Sequence, residues 1–169
     1  TFYGSPISEY TERYLEMTPY NQLLAVSRSH DSNMVVCYQF RHQFDKRSIF
    51  TIRTGGVDDA TDEEDVVPEL RFNALFQENT TWSKLASLLS RGAEIRSTPL
   101  TEQYGLEDYR ARMGPGTLPL FALDDQGRLQ WVSGDTLPKP GPGWTLASLL
   151  PPEQVEALNR ERHRPDDRE

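Results

Sequence analysis

A single cysteine in 169 residues leaves nothing from which to build a disulfide framework, so the fold must be held by its core. Cys37 sits among apolar neighbours in a helical pattern and reads as a buried structural thiol, consistent with a reducing compartment. Long apolar runs are also missing. The longest, Leu118 to Leu123 and Trp144 to Leu150, are far too short to span a bilayer, and no segment resembles a signal peptide. A membrane partner would therefore be reached through another part of the polypeptide. Basic charge is scarce: 18 Lys and Arg against 26 Asp and Glu give a formal net charge of −8. With no basic stripe interleaved with aromatics to offset the repulsion of phosphate backbones, nucleic acid is excluded as an expected partner. An initiator methionine is absent as well, and Thr1-Phe2-Tyr3-Gly4-Ser5 reads as the end of a strand entering a helix, so upstream strands are expected before Thr1.

Proline (12) and glycine (11) are plentiful and imply many turns around a core that 169 residues can bury. Ser5 before Pro6 suits an N-cap followed by proline in the first helical turn, and Ile7, Tyr10, Tyr14 and Met17 recur at near-helical spacing, predicting a helix from about Pro6 to Met17. Gln22 to Val26 is an apolar run without alternation, as expected of a strand covered on both faces. The loop from Ser27 to Asn33 is rich in capping side chains, and Ser29 or Asp31 can start a helix whose inner face is Val36, Cys37, Phe40 and Phe44. Lys46 and Arg47 fall near its negative end, and Ser48 to Ile52 is the next strand. The order β-α-β-α-β with short connections predicts a parallel sheet.

Gly55-Gly56 opens an acidic run through Asp65 that reads as a solvated linker, since its spacing matches no calcium loop. Beyond it, Leu70 to Phe76 is strand-like. Thr81 can cap a helix with a Trp82, Leu85, Leu88 and Leu89 stripe ending before Gly92, a stripe that suits a core or a dimer surface. Glu94 to Leu100 is a strand candidate and Leu106 to Met113 a short helix. A hairpin from Leu118 to Ser133 turns at Asp124-Asp125-Gln126-Gly127, and a last strand begins at Trp144 after the rigid Leu137 to Gly143 connector. A short helix and a charged tail follow Pro151.

Catalytic constellations are sparse. His30, Asp31, Ser27 and Ser29 share one loop, where adjacent side chains diverge and no strand-to-helix nucleophile elbow exists. His42 and His163 stand apart, and three histidines with one cysteine lack metal-ligand spacing. Glu107 and Asp108 read as solvated helix residues.

Tyr3-Gly4-Ser5-Pro6, the run Gln22-Leu23-Leu24-Ala25-Val26-Ser27, and the loop through Asp31 and Asn33 into Met34-Val35-Val36-Cys37 resemble the later half of RCK/KTN (TrkA-type) domains. These are Rossmann-like ligand sensors attached to potassium channels and cation transporters. Gly92 to Arg96 through Leu100-Thr101-Glu102, Pro119 to Asp124 with Gly127-Arg128-Leu129, and Pro142 to Leu146 look like the cytosolic tail of bacterial sodium/proton (cation:proton) antiporters. The resemblance implies an α/β fold: a partial Rossmann-like parallel sheet over 1–54, lacking its first βαβ, an acidic linker at 55–69, a smaller α+β domain at 70–150 and a charged tail at 151–169. It implies a non-catalytic regulatory domain on the cytoplasmic side of the bacterial inner membrane, joined to an antiporter domain of the same polypeptide and paired as a homodimer. A ligand such as an adenine nucleotide or NAD would be bound in the full-length protein, and the positions carried over are Gly4, Ser5, Ser27, Ser29, Asp31 and Asn33, at strand ends where open α/β sheets bind ligands. Ser5, Ser29 and Asp31 also suit helix caps alone. Two departures stand out: Ser5 replaces the family's usual Asp, and the Gly-rich phosphate loop would precede Thr1. The alternatives are a fragment of a nucleotide-dependent oxidoreductase and a structural dimerisation module using the Trp82/Leu85/Leu89 face.

Overall fold

A computed structural model describes residues 4–14, 19–55, 71–114, 116–134 and 138–162. The chain divides into two compact units, Thr1–Lys84 and Leu85–Glu169.

In the first unit, α1 (Glu9–Tyr14) is followed by β1 (Leu23–Ala25), α2 (His30–Phe40), a 3-10 turn (Lys46–Ser48), β2 (Ile49–Thr51) and β3 (Asn73–Ala74). The helix expected from Pro6 is shorter at its start, and its continuation to Met17 lies outside the described residues. The sheet is parallel in the order β1-β2-β3, with Leu24 opposite Phe50 and Phe50 opposite Asn73. Sequence reasoning placed the boundary at the acidic run and assigned Leu70 to Phe76 to the second half. In the structure β3 instead pairs with β2, and the Asn73 amide donates to the carbonyls of Lys46 and Ile49 at 2.9 and 2.8 Å. Most of the acidic run lies outside the described residues.

The core of this unit is Ala25, Cys37, Phe40, Phe44 and Ile49, against which Leu23, Val36 and Phe72 pack. Cys37 is fully buried, and desolvation pushes its thiol from 9.0 up to about 11. At pH 8 that rise lowers the thiolate fraction about 100-fold, so iodoacetamide should modify the folded chain at least that much more slowly than the urea-unfolded chain. Equal rates in the two states would show that Cys37 is exposed.

The second unit carries an antiparallel sheet in the order β4-β7-β5-β6, from β4 (Glu94–Pro99), β5 (Leu118–Leu123), β6 (Leu129–Trp131) and β7 (Thr145–Leu150). Helix α3 (Trp82–Ser90) begins in the first unit and ends in the second, whose other helices are α4 (Leu106–Met113) and α5 (Pro152–Arg162). Leu88 is the buried member of the α3 stripe, while Leu89 is 52% exposed. The helix stops in a Schellman arrangement, with the Ala93 amide donating to Leu88 O and Gly92 at φ +96°, a conformation that costs glycine little. The core gathers Leu100, Tyr109, Met113, Ala122, Leu146, Leu150 and Val155. Asp108, read from the sequence as merely solvated, accepts from the Gly105 amide at 2.9 Å and so closes the first turn of α4.

The β5–β6 turn is organised by one carboxylate. Asp124, with its side chain 1% exposed, accepts from the Gln126 amide at 2.9 Å, the Arg128 amide at 2.8 Å and Arg128 Nε at 2.6 Å. Desolvation pushes this carboxyl up, but the two amides and the Arg128 guanidinium together outweigh it and hold Asp124 below the usual carboxylate value of 3.8. A depressed folded-state value means that the contribution is complete above the unfolded value and is lost as pH falls through the folded one. Urea midpoints of the native chain should therefore converge on those of Asp124→Asn between neutral pH and strong acid. A gap that stays constant across that range would refute the assignment.

Candidate functional site

Sequence chemistry shapes the loop after β1. Ser29 is the N-cap of α2, its hydroxyl accepting from the Ser32 amide at 3.2 Å. Ser27 Oγ donates to Ser29 O at 3.1 Å and accepts from the Ser29 amide at 3.2 Å. Asn33, 2% exposed on the first turns of α2, turns back toward the strand end. Its amide oxygen accepts from Ser27 N at 2.9 Å and its amide nitrogen donates to Ser27 O at 3.0 Å. One side chain thus satisfies both backbone groups of Ser27, two residues past the end of β1.

This loop lines part of a groove of about 790 Å³. The wall is mainly aliphatic and aromatic, from Leu23 and Leu24 on β1 and Val26 just after it to Val36 and Phe40 on α2. A groove of this size and lining is within the range of small-molecule sites, which pair apolar walls with a few fixed polar groups. Its polar groups come from Thr11, Ser27, Arg28, Ser29, Ser32 and Asn33. Among the described residues of the lining, Arg28, an exposed residue, is the only charged one, and none is a carboxylate or an imidazole.

Of the six positions expected at the site, Gly4, Ser27, Ser29 and Asn33 line this groove. Ser5 and Asp31 do not. Ser5 is tied down through its carbonyl, which accepts from the Thr11 hydroxyl at 2.7 Å and the Ser8 amide at 3.1 Å. Asp31 is exposed in the first turn of α2. Two lining residues escaped the sequence reading. Arg28 lay in the loop already singled out but carried no motif, and Thr11, 1% exposed, was hidden among the polar residues of α1. Among the described residues no cluster of three or more His, Cys, Asp or Glu could hold a metal ion, and no helix is long and apolar enough to cross a membrane.

No family model and no curated protein matches the chain. Among solved structures it is similar to one described as the crystal structure of the GsuK RCK domain, at 14% identity and a TM-score of 0.33. The match covers 94% of this chain and 36% of that one, so the chain spans little more than a third of its length.

Proposed function

We propose that this chain is a regulatory, ligand-sensing domain of the RCK type, acting on the cytoplasmic side of a bacterial membrane and joined to a cation/proton antiporter. The observation that carries the reading is the groove along β1, lined by the Ser27–Asn33 loop at the carboxyl end of a parallel strand, the usual ligand position of open α/β sheets. The sequence resemblance supplies the family and the transporter context. The described lining fits binding better than acid–base chemistry, because none of its described side chains could act as a general base at neutral pH. Apolar walls beside Arg28 suit a ligand with a planar apolar part and an anionic part, such as an adenine nucleotide or NAD. Binding can bias a transporter only if the ligand prefers one of its two states, so the coupling is a difference in affinity between those states.

Thermal unfolding with AMP, ADP, ATP, NAD and monovalent and divalent cations tests the site. A ligand at 100 times its dissociation constant should stabilise the chain by about 2.7 kcal/mol. Arg28→Gln should abolish the shift for an anionic ligand. No shift with any of these compounds, or a shift untouched by Arg28→Gln, would remove the groove from the reading. Transport that keeps its dependence on pH, ions and nucleotides after deletion of this region would remove the regulatory role.

A further inference from the structure

A serine stands in the middle of the second unit's core. Ser148 is 0% exposed on β7, a strand paired on both sides, and shares a face with Leu146 and Leu150, which pack with Tyr109 of α4. Tyr109 is 3% exposed, and Tyr104, just ahead of α4, packs against the same cluster. The hydroxyls of Ser148, Tyr109 and Tyr104 are all buried, and among the described residues no protein group hydrogen-bonds any of them. They lie close together. Burial pushes the Tyr109 phenol above its usual 10.0, the nearby Ser148 hydroxyl works against that rise, and the Tyr104 phenol adds to it. Ser148 is therefore near enough to act on Tyr109, while the two hydroxyls fall outside hydrogen-bond geometry.

We propose that the hydroxyls of Tyr104, Tyr109 and Ser148 form a binding site for one water molecule, which ties α4 to β7. A buried hydroxyl without a partner costs free energy, so three of them in one core call for a group that pairs them. A direct bond between Tyr109 and Ser148 would satisfy two and leave Tyr104 alone. A water offers two donors and two acceptors, and a buried one makes about three hydrogen bonds, so a single molecule serves the whole set. Room for it exists beside them. A cavity of about 30 Å³ is lined by Tyr109 together with Leu146, which shares the face of Ser148 on β7, and Pro119, which lies opposite Ser148 on β5. That space suits one water and is too small for an organic ligand, whose sites run to about 300 Å³ or more. The inference depends on neither the groove nor the transporter.

The test uses the whole chain. In urea, Tyr104→Phe, Tyr109→Phe and Ser148→Ala should each shift the folding equilibrium about fivefold toward the unfolded state, because each takes one bond from the bound water. Tyr104→Phe and Ser148→Ala together should shift it about tenfold rather than by the roughly 25-fold product of the two, since both act through the same water. Oxygen-17 relaxation dispersion should count about one long-lived water fewer when all three hydroxyls are removed, because an apolar cavity stays dry. Should that triple variant not fold, the single and double variants decide. Single variants as stable as the native chain, or more so, would show hydroxyls buried bare and overturn the proposal. A neutral Tyr104→Phe beside costly Tyr109→Phe and Ser148→Ala would overturn it in favour of a direct bond between Tyr109 and Ser148. Additive losses from Tyr104→Phe and Ser148→Ala, or an unchanged count of long-lived waters, would overturn it as well.

Discussion

Phe40→Ala is expected to destabilise the protein by about 3–5 kcal/mol, a large share of the roughly 5–15 kcal/mol that holds a typical domain folded. Phe40 is 1% exposed at the end of α2 and packs in a small core whose other buried members among the described residues are Ala25, Cys37, Phe44 and Ile49, with Leu23, Val36 and Phe72 against it. Few neighbours can collapse into the space a phenyl ring leaves, since β1 and β2 contribute three residues each. The same ring lines the groove, so the substitution should weaken any ligand response along with stability. Tyr38→Ala is the control. Tyr38 lies on the same helix, is 49% exposed and stacks under the Arg41 guanidinium at 3.6 Å, so its loss should change stability by about 0.5 kcal/mol or less. Urea unfolding of both variants separates the outcomes. Similar midpoints for the two would mean that α2 is not anchored through Phe40.

The parts of the fold legible in the sequence were those set by local chemistry. Helix α4 spans the expected Leu106–Met113, and the hairpin turns at Asp124 to Gly127, because a capping carboxylate and a glycine at φ +77° fix these structures within a few residues. Strand β4 likewise begins where Gly92 ends α3. Beyond the β5–β6 hairpin and the parallel β1–β2 pair, the pairing of strands was not legible. β7 is last in sequence yet lies between β4 and β5, and its run Leu146 to Leu150 is buried throughout, so no alternation reveals its neighbours. β3 is two residues long and is held by the Asn73 amide bonding the carbonyls of Lys46 and Ile49, a contact made across more than twenty residues of chain. The site was half legible for a related reason. A serine- and asparagine-rich loop after a strand marks a place where backbone groups need partners, but the pattern does not say whether a ligand or the loop itself supplies them.

Asn33 makes that distinction measurable. Its amide closes both backbone groups of Ser27, so Asn33→Ala leaves one donor and one acceptor without their partner and should cost about 2–3 kcal/mol. The cost stays below the full burial penalty because Ser27 is exposed and water can reach part of what the amide leaves. Arg28 is exposed on the groove wall, and Arg28→Gln should leave stability within about 0.5 kcal/mol of the native chain. The two substitutions therefore separate building the loop from using it. If the groove binds an anionic ligand, Asn33→Ala lowers both the midpoint and the ligand shift, whereas Arg28→Gln lowers the shift alone. A native midpoint in Asn33→Ala would show that the amide does not lock the strand end. A full ligand shift in a destabilised Asn33→Ala chain would place the ligand elsewhere than the loop, because a site built on Ser27 and Ser29 cannot keep its geometry once the side chain that ties β1 to α2 is gone.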